Sequence, residues 1–216
     1  DGKNEVAVVN TFSNSISVYR NTSTPGTVSY AGPSNYATAS SPVALTMGDI
    51  DRDGKMELVS INQTGNISVL RNNCTVGTIS FFAKVDYAVG SNPYGIVVHD
   101  MDGDGKPELI SGNGGSGQIS VLRNNSVSGT INASSFGAAV NFFAGSACNG
   151  IAVGDLDGDG KPDVVTANQS STTMSLLRNT CTTGTITTGS FAAKYDIATG
   201  SNPSDVAITD FDDDGK

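Results

Sequence analysis

The chain has 216 residues, of which 37% are hydrophobic and only 15% charged, with 26 glycines and a formal net charge of −9. That length bounds it to one large domain or two small ones with enough residues to bury a core. No apolar run approaches the ~18–20 residues of a membrane-spanning helix, and no basic stripe exists to neutralise phosphates, which excludes membrane insertion and nucleic acid as a partner.

The opening residues lack the basic, apolar, small-residue order of a secretory leader, so none is expected in this stretch. Low charge and abundant Val, Ile, Thr and Ser argue against disorder. Scarce helix formers beside plentiful Gly, Asn, Ser and Thr predict an all-β chain.

Read in chain order, the sequence repeats. The triplet Asp-Gly-Lys stands at 1–3, 53–55, 104–106, 159–161 and 214–216, at spacings of 52, 51, 55 and 55. The whole chain, 1–216, is therefore one repeat domain of approximate copies 1–52, 53–103, 104–158 and 159–216. Within them ISVYRNTS (16–23), ISVLRNNC (67–74), ISVLRNNS (119–126) and MSLLRNTC (174–181) keep the same phase.

The second copy shows the unit. Apolar-rich segments at 43–49, 56–62, 67–72 and 78–88 have strand length, and turn residues separate them. Four strands joined by short turns make an antiparallel meander, and a lone meander cannot bury both faces, so copies must stack. Such units read as propeller blades, with a β-solenoid of shorter repeats as the runner-up. The first copy starts within a turn and supplies strands two to four, while the last segment supplies strand one. One blade is thus split between the ends, either closing a ring or pairing with a neighbouring copy into an array.

The acids follow the repeat. Asp49, Asp51, Asp53 and Glu57 form one cluster, Asp100, Asp102, Asp104 and Glu108 a second, and Asp155, Asp157, Asp159 and Asp163 a third. Asp210, Asp212 and Asp214 form a fourth, and Asp1 and Glu5 read as the tail of another; only Asp86, Asp196, Asp205 and Asp213 fall outside.

In Asp-x-Asp-x-Asp-Gly-Lys-x-Glu/Asp, three carboxylates at alternate positions of a tight turn converge on one point. The sixth-position glycine permits a positive φ. Lys55, Lys106, Lys161, Lys3 and Lys216, at the seventh position, turn a backbone carbonyl inward and a side chain toward water, and the ninth-position acid closes the cage. An all-oxygen set of this kind suits a hard cation of ~6–8 ligands and favours Ca²⁺ over Mg²⁺ or Zn²⁺. An EF-hand is excluded, because its twelfth-position acid is replaced by Ser60, Ser111 and Thr166, and a strand pattern follows. If the chain ends meet, the Asp210 trio and Glu5 share a fourth ion.

These motifs resemble the FG-GAP and VCBS-type repeats, whose calcium loops also occur in the integrin α-subunit head. VGDLDGDGKPDVVTAN (153–168) is similar to bacterial secreted members. The resemblance spans the chain and implies a β-propeller, usually of seven blades where this chain has four repeats. It also implies an extracellular or cell-surface location, calcium-dependent stability, and adhesion or scaffold roles, but no reaction.

The remaining residues fit a non-enzymatic reading. An active site is normally one of a kind, whereas these acidic turns recur. His99 is the sole histidine and belongs to a strand end. Arg20, Arg71, Arg123 and Arg178 recur at the end of the third strand and are expected to pack or pair with a carboxylate. Cys74, Cys148 and Cys181 read as small buried or turn thiols. Sequons at Asn21, Asn62, Asn66, Asn73, Asn124, Asn132 and Asn168 permit glycosylation of a secreted protein.

The expected function is a calcium-binding extracellular structural or adhesion module that self-associates through its split blade. A lectin-like propeller, with Tyr36, Tyr87 and Tyr94 at blade junctions, is the alternative, and the partner is then a glycan or a surface protein.

Overall fold

The computed structural model of the chain describes residues 2–212. The first sheet holds β1 (Val6–Asn10), β2 (Ser15–Tyr19) and β3 (Ser34–Ala37). The second holds β4 (Pro42–Gly48), β5 (Glu57–Asn62), β6 (Asn66–Leu70) and β7 (Val85–Ala88). The third holds β8 (Pro93–His99), β9 (Glu108–Asn113), β10 (Gln118–Leu122) and β11 (Val140–Phe143). The fourth holds β12 (Cys148–Gly154), β13 (Asp163–Asn168), β14 (Thr173–Leu177) and β15 (Tyr195–Ala198). Each is an antiparallel meander in sequence order, and among the described residues there is no helix. Antiparallel hairpins of this size agree with blades and not with a solenoid of short parallel coils.

The sheets lie side by side, with β1 against β4, β4 against β8 and β8 against β12. Apolar side chains fill each junction. Ile16 and Val18 meet Leu58 and Leu70. Val59, Ile61 and Val69 meet Leu109, Leu122 and Phe136. Ile110, Ile119 and Val121 meet Val164, Leu177 and Phe191. Each such side chain contributes ~1.5–3 kcal/mol by leaving water. A T-shaped aromatic pair seals every junction: Tyr36–Phe81, Tyr87–Phe136 and Phe142–Phe191. Stacking explains why β5, β9 and β13 are buried at every position, on both faces, while β1 alternates with exposed residues. Close approach needs glycine: a Cβ at Gly150 would lie 2.6 Å from the Asp205 Cα, and one at Gly95 would strike the Asn149 carbonyl.

The recurring Ser of the ISVL segments is buried but fully bonded. Asn62 Nδ2 donates to Ser68 Oγ (3.0 Å), which donates to Asp86 Oδ1 (2.6 Å). The same relay runs Asn113–Ser120–Asn141, Asn168–Ser175–Asp196 and Asn10–Ser17–Asn35. Ala39 N and Gly90 N, in the links between sheets, donate to Ser68 and Ser120. The relay gives Asp86 and Asp196, two of the acids outside the clusters, a structural role, and Lys84 and Lys194 pair with them.

One expectation of the strand pattern needs correction. The fourth segment of the unit is not one strand from 78 to 88. Residues 72–81 form a small side hairpin, with bridges Asn72↔Phe81 and Thr75↔Thr78, and only Val85–Ala88 joins the sheet. Gly77, at φ +78°, makes its turn and folds 78–81 back onto 72–75, so the expected run breaks at 82–84, which lie in no strand. The described residues show neither of the two arrangements open to the split blade. β1 pairs only with β2, and residues 203–209 lie in no strand, although Asp205 and Ile208 pack beside Gly150 and Gly154 of β12.

Candidate metal centre

Three acidic turns join the first and second strands of the complete sheets. Their backbone is wrapped around the leading aspartate. Asp49 Oδ1 and Oδ2 accept from Asp53 N and Gly54 N, both at 3.1 Å. Asp100 accepts from Gly103 N and Gly105 N, and Asp155 from Gly158 N and Gly160 N, all at 2.8 Å. Smaller turns follow, as Asp51, Asp102 and Asp157 accept from the amides of Asp53, Asp104 and Asp159, which in turn accept from Lys55, Lys106 and Lys161. Gly54, Gly105 and Gly160 sit at φ +85°, +84° and +82°, as the motif requires. The fourth position is left-handed too, at Gly103, Gly158 and Arg52. The sequence reading missed this, although glycine in two copies is its signal.

This winding brings carboxylates together. Oxygens of Asp49, Asp51 and Asp53 lie within 4.8 Å of one another, as do those of Asp100, Asp102 and Glu108, and of Asp155, Asp157 and Asp163. Charges at such distances repel by ~3–4 kcal/mol per pair near a protein surface. The set is all oxygen, with no imidazole or thiolate in the groups, and fits a hard divalent cation.

Arginine offsets part of the repulsion. Arg123 Nε and Nη2 reach Asp102 and Asp104, each at 3.0 Å. Arg71 lies 3.2 and 3.7 Å from Asp51 and Asp53, and Arg178 lies 3.8 and 3.7 Å from Asp157 and Asp159. The recurring arginine therefore pairs with carboxylates in all three complete copies. Arg20 instead reaches the Gly77 carbonyl.

The closing acid joins its group at Glu108 and Asp163 but not at Glu57, and in all three turns it also holds backbone amides. Glu57 accepts from Ile50 N (2.8 Å) and Asn72 N (3.3 Å). Glu108 accepts from Met101 N and Asn124 N, and Asp163 from Leu156 N and Asn179 N. It bolts the acidic turn to the third strand's end. Burial pushes the Glu57 and Glu108 carboxyls up to about 7, against the pull of those amides, and desolvation likewise raises Asp51. The lysine side chains do not simply face water: Lys55, Lys106 and Lys161 donate to the carbonyls of Cys74, Ser126 and Cys181 in the side hairpins.

The end copies differ. Lys3 Nζ repeats the lysine contact on Ser23 O (2.8 Å), yet Glu5 is exposed and joins no acidic group among the described residues. Asp212 N donates to Asp210 Oδ1. Asp1, Asp214 and Lys216 lie outside the described residues, so the shared fourth site is not assembled among those described.

All three cysteines are free thiols, two of them buried. Asn62, Asn124 and Asn168 are buried and bonded, which removes them as glycan acceptors, whereas Asn73 and Asn132 are exposed. Tyr36 and Tyr87 are used in sheet junctions, donating to Ile79 O and Asn132 O, and Tyr94 is exposed.

The FG-GAP-like repeat matches the chain four times, over residues 1–60, 53–111, 100–166 and 155–216. The chain belongs to that family from end to end. No curated protein sequence matches it.

Proposed function

We propose that this chain is a non-enzymatic, calcium-binding, extracellular structural module. The observation that carries the reading is the threefold recurrence of one all-oxygen acidic turn between the first and second strands of its own sheet. The residues assigned to the ions are the three alternating aspartates of each turn, the closing Glu57, Glu108 or Asp163, and the carbonyls of Lys55, Lys106 and Lys161. Calcium supplies the positive charge that those clustered carboxylates require. The chain's own residues hold the turn ready: the glycines wind it, the arginine neutralises two aspartates, and the closing acid ties it to the third strand. FG-GAP repeats are typical of extracellular proteins, which supports the location. The test is a thermal melt with excess calcium and with a chelator. Binding at a hundred times Kd stabilises by ~2.7 kcal/mol per site, so a fall of at least ~10 °C on chelation is expected, and an unchanged midpoint refutes the reading.

Assembly through further blades belongs to the same proposal. A cleft between the first two sheets is lined by Val18, Leu58, Ile79 and Phe81, at the place where Ile50 and Met101 fill the later junctions. Phe211, the equivalent of those two residues, is 92% exposed. Light scattering across a concentration series checks this: head-to-tail association that Phe211→Asp abolishes supports it, and a strict monomer at all concentrations refutes self-association.

A further inference from the structure

The three acidic turns share a motif but not a setting. The Ile50 carbonyl, at the second position of the first turn, accepts from Asn124 Nδ2 (2.9 Å) and Ser126 Oγ (3.1 Å), and Ser128 Oγ reaches the Arg52 carbonyl (3.2 Å). The Met101 carbonyl accepts from Asn179 Nδ2 (2.8 Å), and the Asp102 carbonyl from Gly184 N (3.1 Å). Every one of these donors belongs to the next sheet's unit, at the end of its third strand or in its side hairpin. Asn124 and Asn179 use their second hydrogen on Pro107 O and Pro162 O of their own unit, so one amide ties two repeats together. Ile50 and Met101 are 0% and 1% exposed, sunk against Phe136 and Phe191 of the following unit. Leu156, at the same position of the third turn, is 40% exposed, and among the described residues no following unit meets its carbonyl.

The geometry points to a cation site that is completed across the sheet boundary, with Asn124 and Ser126 as positioning residues for the turn at 49–57 and Asn179 as the positioning residue for the turn at 100–108. The inference rests on the reading of these turns as calcium sites. An unclamped turn must be ordered at the moment of binding, and that cost comes out of the affinity. A clamp of two or three hydrogen bonds and a buried apolar side chain makes the first two turns bind ~10- to 100-fold more tightly than the turn at 155–163. Linkage makes the effect reciprocal: the ion strengthens the junction by the factor with which the junction strengthens the ion.

The test uses single-turn variants of the full chain. In each, two of the three turns are disabled by Asp→Asn at their first two aspartates, and calcium binding to the remaining turn is followed by calorimetry, with circular dichroism to verify folding. The expected order places the turn at 155–163 weakest. Ser126→Ala, whose side chain touches only the preceding turn, weakens the turn at 49–57 by ~3- to 10-fold and leaves the turn of its own sheet, 100–108, unchanged. Asn179→Ala weakens the turn at 100–108 and leaves 49–57 unchanged. Equal affinities of the three turns, or a Ser126→Ala loss shared by both turns, overturn the inference while leaving the calcium reading intact. No calcium binding by the unmodified chain removes the calcium reading itself.

Discussion

The acidic turn between β8 and β9 and the one between β12 and β13 read almost identically, DMDGDGKPE against DLDGDGKPD. In the first, Asp102 is buried, Arg123 grips Asp102 and Asp104 at 3.0 Å, and Met101 disappears beneath the next sheet. In the second, Leu156 and the turn around it are exposed, and Arg178 stands 3.7–3.8 Å from its carboxylates. Motif chemistry is therefore common to the repeats, whereas burial and preorganisation come from the neighbour. A recurring sequence need not make equivalent sites.

The largest expected effect breaks this comparison directly. With calcium chelated, amide hydrogen exchange should accelerate first over 155–163 and last over 49–57 and 100–108; simultaneous loss of protection would show that the sheets do not differ. Next in size is removal of the third-position acid. Asp102→Ala strands a half-buried Arg123 beside an emptied junction, and in chelator it should cost ~2–3 kcal/mol. Asp157→Ala, where both partners are well exposed, should cost under ~0.5 kcal/mol. Denaturant titration of the two variants measures the gap, and equal losses contradict it.

The pH dependence sharpens the same contrast. Glu57 and Glu108 have carboxyls raised to about 7 by burial, so the folded state prefers them neutral. In chelator the stability is full below about pH 4.5, falls as pH rises toward 7, and then levels, because above that range the buried charge carries its whole penalty. Glu57→Gln with Glu108→Gln should flatten that profile. With calcium present the trend should reverse, because the ion needs deprotonated ligands. A melt series from pH 4.5 to 8, with and without calcium, reads both signs. The smallest effect concerns Arg52, at φ +58° where the other turns carry glycine. Arg52→Gly should relieve left-handed strain and stabilise the chain by under ~1 kcal/mol, again measured by melting.

Much of this was legible in the amino-acid order. The triplet spacing marked the repeat, the recurring strand-length ISVL segments marked β6 and β10, and the carboxylates at alternate positions with a sixth-position glycine marked the turn. These are local properties, set by side-chain period and by the φ a residue tolerates. The side hairpin at 72–81 was not legible, because the apolar run 78–88 looked like one strand, whereas the turn at Gly77 folds 78–81 onto 72–75 and only 85–88 reach the sheet. The second duty of Glu57 and Glu108 escaped as well, since it depends on amides 7 and 15–16 residues distant.

What the sequence determined by itself is the unit, an antiparallel meander carrying an acidic turn, because backbone geometry and charge spacing act over a few residues. What only the tertiary structure decided is which turns are gripped. Asn124 reaches Ile50 over a separation of 74 residues, and Asn179 reaches Met101 over 78. Contacts that long depend on how one sheet seats against the next, and the turn of the fourth sheet, where among the described residues no other unit covers Leu156, has the same letters without the same surroundings.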